Sequence, residues 1–408
     1  MTIRMSAPDV SPEDIALVHE VLQSDSLSLG PMVERFEAEW AARLGVRHAV
    51  AVSSGTAGLH LALIAADVSA GDCVVTSPFS FVASANAALY EGALPIFVDI
   101  DPASLTLDPA RVASALADLE AGGRAAARWL PRRRPDGWTG RPAKAVMPVH
   151  VFGQPAAMSP ILASADRHGA LVIEDACEAI GSEYEGQPAG ALGAAGVFGF
   201  YPNKQMTTGE GGIIVTGDEA RARLLRSLRN QGRDEGATWL RHVRLGYNYR
   251  LDEMSAALGL GQLRRLDVLL AQRARVAAAY DERLAGLDAV TRPGRLATTT
   301  KIGWFVYVVR LAEGTDRAAV VAALAADGVP SRPYFPPIHL QPYYRGRFGY
   351  REGDFPITEA IARTTLALPF HGRMTDHEVD FVVSALERAL STAAKAASPV
   401  ASGGRGRR

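Results

Sequence analysis

The fold is decided by one stretch, Phe198-Gly199-Phe200-Tyr201-Pro202-Asn203-Lys204-Gln205-Met206-Thr207-Thr208-Gly209-Glu210-Gly211-Gly212. An apolar run typical of a strand leads to Lys204, and a glycine-rich turn follows it. No acidic residue stands in the five positions before this lysine, so its amine can be held neutral and nucleophilic, as Schiff-base formation requires. The glycines would let backbone pack closely around a bulky ligand. Taken alone, the stretch fits a solvated loop lysine better.

A second stretch, Ser54-Gly55-Thr56, follows an apolar run and opens a helical pattern. The free N–H groups of a helix start, with the positive end of the helix dipole, form an anion site, and Gly55 would let a phosphate approach the backbone. The Thr56 hydroxyl adds a donor. Taken alone, ordinary helix capping is the better explanation of the same residues.

A third stretch, Ile173-Glu174-Asp175, ends a short strand in carboxylates. The carboxyl end of a central strand is where open α/β sheets bind ligands. An ionised Asp175 there would keep the nitrogen of a pyridine-type cofactor protonated and make the ring an electron sink. As an isolated feature, Asp175 is equally well explained as the cap of the next helix.

Short apolar runs alternate with helical patterns through the first half of the chain. The strand-like runs lie at residues 49–52, 73–76, 95–98, 145–149, 171–173, 196–200 and 212–215, and the helical patterns at 12–23, 32–44, 57–66, 81–90 and 158–168. Such alternation predicts a mostly parallel sheet covered by helices on both faces. We therefore expect an α/β fold with one large domain over residues 1–250.

The second half predicts a smaller α+β domain. Long helical patterns run from 252 to about 287, followed by a strand at 305–311, a helix at 317–326 and a final helix at 376–389. Residues 251–392 should therefore hold connecting helices and the small domain, and 393–408 a disordered tail. An arginine-rich insertion at 121–144 is expected to be a mobile, solvated loop; contact with a phosphate is the less favoured alternative.

Composition limits the partners. The chain has 408 residues, with 43 Lys and Arg against 44 Asp and Glu, so no net field attracts nucleic acid or an acidic membrane. Its two cysteines, Cys73 and Cys177, stand in apolar stretches and predict buried thiols in a reducing compartment. We see no signal peptide, no membrane span and no metal-binding motif. A cytoplasmic protein with small-molecule partners is expected.

With these stretches in order, the chain resembles the DegT/StrS-type nucleotide-sugar aminotransferases, which are pyridoxal 5′-phosphate (PLP) enzymes of fold type I. The resemblance extends from about residue 5 to 390. Its carriers are Ser53-Ser54-Gly55-Thr56-Ala57-Gly58-Leu59, Pro78-Phe79-Ser80-Phe81-Val82-Ala83-Ser84, Val149-His150-Val151-Phe152-Gly153, Ile173-Glu174-Asp175-Ala176-Cys177-Glu178-Ala179, Tyr201-Pro202-Asn203-Lys204, Gly209-Glu210-Gly211-Gly212 and Gly246-Tyr247-Asn248-Tyr249-Arg250.

The resemblance implies a role for each matching residue. Lys204 would bond the cofactor as a Schiff base and shuttle the proton, and Asp175 would pair with the pyridinium nitrogen. Phe81 would stack on the ring; a plain core Phe is the alternative. Gly55 and Thr56 would hold the phosphate. Glu178 takes a position near the phenolic oxygen where relatives often carry Gln or His.

The sequence also departs from the family pattern. Gly199 replaces a serine that contacts the phosphate in several relatives, so a donor must come from Tyr201, Asn203 or a second subunit. Asn248 and Arg250 match a segment that relatives place against the neighbouring subunit's cofactor, which implies a homodimer by analogy.

A proline-rich stretch at 331–339 is expected to overhang the cleft and to offer side chains to the substrate. Its candidates are Arg332, Tyr334 and His339, although proline-rich loops are as often rigid surface turns.

The implied activity is a transamination in which glutamate donates nitrogen and a keto sugar linked to a nucleotide receives it. Two rival hypotheses remain. Some relatives are PLP-dependent sugar dehydratases, in which a histidine replaces the lysine, and Lys204 argues against that activity. A PLP-binding regulatory protein without turnover is the other rival.

Overall fold

The computed structural model describes residues 3–134, 141–234 and 241–397. The helices are α1 (Pro12–Leu22), α2 (Pro31–Leu44), α3 (Gly55–Ala65), α4 (Ala83–Tyr90), α5 (Pro109–Ala121), α6 (Gly123–Ala127), α7 (Met158–Arg167), α8 (Glu219–Arg229), α9 (Glu253–Arg264), α10 (Leu266–Arg283), α11 (Arg317–Ala326), α12 (Pro342–Phe348), α13 (Pro356–Thr364) and α14 (Asp376–Ala397). The strands are β1 (His48–Val52), β2 (Cys73–Thr76), β3 (Leu94–Phe97), β4 (Ala143–Met147), β5 (Leu171–Asp175), β6 (Glu183–Tyr184), β7 (Gln187–Pro188), β8 (Ala195–Gly199), β9 (Gly212–Thr216), β10 (Val290–Thr291), β11 (Thr299–Lys301), β12 (Tyr307–Leu311) and β13 (Thr365–Leu368).

A seven-stranded sheet forms the centre of the molecule, in the order β1-β9-β8-β5-β4-β2-β3. Five neighbouring strands, from β8 to β3, are parallel, and β9 runs antiparallel to both β1 and β8. Nearly all of their residues are buried, as expected of a sheet with helices on both faces. The predicted mixed, mostly parallel α/β sheet is confirmed.

Strand β9 lies between β1 and β8 and runs antiparallel to both, which brings the ends of β1 and β8 to the same edge of the sheet. Val52 and Gly199, which end β1 and β8, both lie opposite Gly212. A Cβ on Gly212 would stand 2.7 Å from the backbone N of Gly55, so only glycine allows α3 to start this close to β9. The ends of β1, β5 and β8 therefore meet at one edge.

A three-stranded antiparallel sheet, in the order β10-β12-β13, forms a second layer with α10, α11 and α14. The predicted boundary at residue 250 is crossed by packing in both directions. Ile3 packs into the core of this small domain, whereas α9 packs on α1 and α2 of the large one, and Tyr344 joins the large domain's core. Helix α14 continues to Ala397, beyond the predicted end at 389. The tail from residue 398 lies outside the described residues.

The arginine-rich segment differs from the mobile loop that was predicted at 121–144. Its described part forms α6 and then anchors itself, because Trp129 Nε1 donates to Asp118 Oδ2 at 2.7 Å and Leu130 is buried. Arg132 donates to Asp354 at 2.6 Å. The arginines do face solvent, as predicted, but Trp129 and Leu130 supply apolar surface to bury. Residues 135–140 lie outside the described part.

Candidate active site

A cleft of about 500 Å³ opens at the edge where β1, β5 and β8 end. This volume suits a small-molecule or cofactor site. Its walls include Asp175, Glu178 and Lys204 together with Ser54, Gly55 and Thr56. The three stretches found in the sequence therefore converge on one cavity, as the rule for ligands at open α/β sheets predicts.

Asp175 is fixed in position by both its backbone and its side chain. Its N–H donates to Pro148 O at 2.9 Å, and its C=O accepts from His150 N at 3.0 Å. Carboxylate oxygen Oδ2 accepts a 2.6 Å hydrogen bond from Ser84 Oγ, and Oδ1 accepts one from Cys177 N at 3.2 Å. With 5% of its surface exposed, Asp175 is a buried, oriented acceptor.

A buried pair, His150 and Glu174, supports the strand end next to Asp175. Ala156 N donates to His150 Nδ1 at 3.1 Å, so the ring proton lies on Nε2, which donates to Glu174 Oε2 at 2.9 Å. Three backbone N–H groups, of Gly190, Leu192 and Gly193, also donate to Glu174 at 2.6–2.8 Å. The fully buried carboxylate is thus satisfied and locks the end of β5.

Lys204 lies on the opposite wall. Its Nζ stands 3.8 Å from the ring centre of Phe305 and 3.7 Å from Glu178 Oε1. Phe152 N donates to the other oxygen of Glu178 at 2.8 Å. Burial raises the pKa of the Glu178 carboxyl above its ordinary value, and the charge of Lys204 opposes that rise without cancelling it. The amine is thus held between an aromatic face and a buried acid.

The start of α3 closes the other end of the cleft. Ser54 caps the helix, with Oγ accepting from Ala57 N at 3.1 Å, which leaves the N–H groups of Gly55 and Thr56 directed at an incoming anion. A Cβ on Gly55 would come within 2.8 Å of Cys177 Sγ and 3.3 Å of Gly199 Cα, so glycine lets the start of α3 lie close to the end of β8.

Space does not explain the glycine at position 199. A Cβ on Gly199 would meet Cys177 Cβ at 3.5 Å, an ordinary van der Waals distance. The two replacement donors named from the sequence, Tyr201 and Asn203, both line the cleft, where the Tyr201 hydroxyl and the Asn203 side-chain NH₂ are the groups able to donate. Both therefore remain candidates to contact the phosphate.

The other predicted residues divide into two groups. Phe81 and Tyr334 line the cleft, whereas Arg332 is exposed and donates to Ser331 O at 3.1 Å. The placement predicted for His339 is wrong. It is fully buried 3.0 Å from Glu359, away from the cleft, because a short 3₁₀ turn directs its ring into the core.

Asn248 and Arg250 do not reach the cleft of their own chain. Asn248 is exposed and pairs through its backbone with Asn230, whose Oδ1 accepts a 3.0 Å hydrogen bond from Arg250 Nη1. Tyr247 is anchored by a 3.2 Å hydrogen bond to Glu91. The segment is therefore anchored to its own chain, and Asn248 is exposed to solvent.

Sequence reasoning missed two side chains that contact the key groups. Ser84 stood within the quoted stretch 78–84, and a hydroxyl one helical turn after Phe81 was an available signal. Phe305, under the lysine, was assigned only as the start of a strand, and nothing in an apolar run distinguishes it. Among residues 3–134, 141–234 and 241–397 no three His, Cys, Asp or Glu side chains group as metal ligands do, and no helix could span a bilayer.

The sequence model of the DegT/DnrJ/EryC1/StrS aminotransferase family matches residues 8–387. The chain belongs to this family. It is 39% identical to GDP-perosamine synthase of Caulobacter vibrioides over 392 residues, covering 95% of this chain and 98% of that protein. It is 37% identical to the spore coat polysaccharide biosynthesis protein SpsC of Bacillus subtilis, over 93% and 95% of the two chains. Among solved structures, S. venezuelae DesV in complex with a ketimine intermediate superposes with a TM-score of 0.81 and 34% identity, over 94% and 99% of the chains.

Membership of the family makes the chain a PLP-dependent aminotransferase of fold type I. The cleft fits the cofactor chemically. A lysine amine, a buried carboxylate and the start of a helix lie around one cavity, which are the groups that an aldehyde, a pyridine nitrogen and a phosphate need.

Proposed function

We propose that this aminotransferase moves an amino group from glutamate to the keto carbon of a nucleotide-linked sugar, with Lys204 as the residue that bonds PLP. The observation that carries the proposal is that Lys204 and Asp175 face one cleft which ends at the start of α3. The names of two relatives, GDP-perosamine synthase and the spore coat polysaccharide biosynthesis protein SpsC, support the sugar class of substrate.

Each residue has a distinct task in this proposal. PLP, when bound, supplies an electron sink conjugated with the substrate carbon. The Asp175 carboxylate, fixed by Ser84, holds a proton on the pyridine nitrogen. Lys204 Nζ would take a proton from the substrate carbon as a general base and then give it to the cofactor as a general acid. Glu178, close to that Nζ, keeps the lysine's charge compensated inside the cleft.

The phosphate end is assigned to α3. The N–H groups of Gly55 and Thr56 and the Thr56 hydroxyl donate to the phosphate, and the helix dipole favours its charge. Phe81, at the cleft wall, covers one face of the ring. Tyr334, which lines the cleft, and the exposed Arg332 of the same segment are proposed to contact the sugar and the nucleotide diphosphate.

A homodimer completes the site in this proposal, with Asn248 and Arg250 of each chain reaching the cleft of the other. The rim supports it, because Phe81 and Tyr201 are 61% and 53% exposed and Leu245, in the adjoining segment, is 83% exposed. Large apolar side chains so exposed are typical of an interaction surface. Cys73 and Cys177 are unpaired, which accords with a cytoplasmic enzyme.

The test uses the small number of lysines in the chain. The sequence contains four, Lys144, Lys204, Lys301 and Lys395. Borohydride reduction of the PLP-loaded protein followed by peptide mapping should place the cofactor on Lys204. Glutamate should convert the absorbance band of the lysine-bound aldehyde to that of pyridoxamine phosphate, and a keto-sugar nucleotide should reverse it.

Lys204→Ala should lose the band and all turnover, whereas Lys301→Ala, at an exposed lysine paired with Glu183, should keep both. Label on another lysine would refute the site. A correctly labelled Lys204 with no response to glutamate would favour the regulatory, non-catalytic alternative. Loss of substrate hydroxyl without amination would favour the dehydratase.

A further inference from the structure

Arg273, in the middle of α10, makes an unusual set of hydrogen bonds. Its Nη1 donates to the carbonyls of Phe305 and Trp304 at 3.1 and 3.2 Å, and its Nη2 donates to those of Lys204 and Asn203 at 2.6 and 3.4 Å. A single guanidinium thus holds the backbone of the cofactor lysine and the backbone of the residue whose ring lies under that lysine.

No carboxylate lies within ion-pair distance of Arg273 in the described ranges 3–134, 141–234 and 241–397. Burial lowers the pKa of the guanidinium to about 10, so it stays charged at neutral pH. Burying a cation that contacts only carbonyls and the face of Phe370 costs desolvation free energy. An apolar side chain could fill the same volume at a lower cost in free energy. The planar guanidinium of Arg273 therefore serves through its geometry, because it can donate to several carbonyls at once.

We propose that Arg273 is a positioning residue that sets the place of Lys204 Nζ in the cleft. It does so from both sides, by fixing the turn at Asn203 and Lys204 and by fixing Phe305, whose ring centre lies 3.8 Å from Nζ. This inference rests on the proposed role of Lys204 as the cofactor lysine.

The arrangement also joins the two domains at the reacting amine. Arg273 belongs to a helix that packs on α14, and Tyr280 of the same helix donates to Pro369 O at 2.8 Å. Phe370 lies 5.7 Å from the guanidinium. Arg273 therefore links the helix that packs on α14 to the turn that carries Lys204.

The chain supplies a matched control two residues along the helix. Arg275 is exposed and pairs with Asp376 at 3.1 Å and with Met374 O, and it makes no contact with the lysine turn. Arg273→Met and Arg275→Met remove the same charge and the same donors from one helix. Only the first should affect the chemistry.

In Arg273→Met we expect kcat to fall about 100-fold with the KM for glutamate nearly unchanged, because a small displacement of a reacting group costs that much while the substrate contacts remain. The visible circular dichroism per bound PLP, which reports how the ring is seated, should fall as well. Arg275→Met should match the wild type in both.

Arg273→Lys keeps the proposal testable if the methionine variant fails to fold. Its ammonium can reach some of the carbonyls but lacks the planar geometry, so it should restore kcat and dichroism only in part. Wild-type kcat and dichroism per bound PLP in the lysine variant, with only a lower melting temperature, would show a purely structural role and overturn the proposal. A wild type that fails to bond PLP at Lys204 would instead overturn the proposed function.

Discussion

The two ends of the cleft are built differently. At the Asp175 end, the carboxylate is 5% exposed and accepts hydrogen bonds from Ser84 and Cys177 of its own chain. At the Thr56 end, Thr56 is half-buried, and two aromatic side chains that line the same cleft, Phe81 and Tyr201, are mostly exposed. A single chain supplies the hydrogen-bond donors at the Asp175 end, whereas the Thr56 end stays partly exposed to solvent.

This difference separates two tasks of the site. The end that must fix a proton on the cofactor is preorganised within one fold, where burial strengthens each interaction. At the end that is proposed to anchor the phosphate, Gly199 supplies no hydroxyl, and the proposed homodimer would add donors from the partner chain. We therefore expect changes at the Asp175 end to alter rates, and changes in the segment 246–250 to alter cofactor affinity through assembly.

The largest effect is expected from breaking the Asp175 end. Asp175→Asn keeps the size of the side chain and removes its charge, so the ring nitrogen loses the partner that holds its proton. We expect kcat to fall by about 10²–10³-fold, the usual cost of removing one preorganised electrostatic partner. Steady-state rates with glutamate measure this fall, and the oligomeric state of the protein should not change.

The control for Asp175→Asn is its own cofactor content. Absorbance and reductive labelling should show PLP on Lys204 at wild-type stoichiometry, which separates loss of chemistry from loss of binding. Near-normal rates in a fully loaded variant would contradict the pairing of Asp175 with the ring nitrogen.

The sequence predicted most of the fold because the fold depends on patterns. The strand at Cys73–Thr76 and the helix at Arg317–Ala326 match their predicted bounds, since apolar runs between polar breaks mark both. The prediction of a mobile loop in the arginine-rich segment was wrong because the charged pattern outweighed the two residues that anchor it, Trp129 and Leu130. The packing of helices across the predicted boundary at residue 250 could not be predicted, because it depends on residues that are far apart in the sequence.

The site was predictable only where chemistry and motif coincide. Lys204 and Asp175 line one cleft as the sequence indicated, because Asp175 ends β5 and Lys204 lies in the turn that follows β8, the neighbouring strand of the same sheet. Arg273 and Phe305 were missed because they are brought to Lys204 from 69 and 101 positions away by tertiary packing alone. His339 was misplaced since the direction of a side chain in a turn depends on backbone angles that sequence does not show.

A smaller effect is expected from Asn248→Ala, which sharpens the comparison at the open end. Losing one hydrogen bond to a charged phosphate should weaken PLP binding about 10–100-fold. Co-expression with Lys204→Ala chains then tests whether Asn248 acts across the dimer. In a mixed dimer the chain that retains Lys204 receives Asn248 from its partner, so one of the two sites is intact.

Titration of PLP into the mixed sample should recover a fraction of sites with wild-type affinity and turnover. A mixture of Asn248→Ala chains with Lys301→Ala chains, which keep both Asn248 and Lys204, serves as the reference for subunit exchange. If mixing with Lys204→Ala restores nothing while exchange is demonstrated by mass spectrometry, Asn248 acts within its own chain or not at all.

The smallest effect is expected from Ser84→Ala, which weakens the Asp175 end without removing its charge. The carboxylate loses its 2.6 Å hydrogen bond but keeps the one from Cys177 N, so we expect a cost of about 1 kcal/mol, or about a five-fold fall in kcat. Ser80→Ala is the matched variant, because its hydroxyl bonds Ser84 at 3.0 Å without touching Asp175 and should cost less. If Ser84→Ala instead changed PLP affinity while leaving kcat intact, the closed end would serve binding as the open end does, and the division of tasks between them would be wrong.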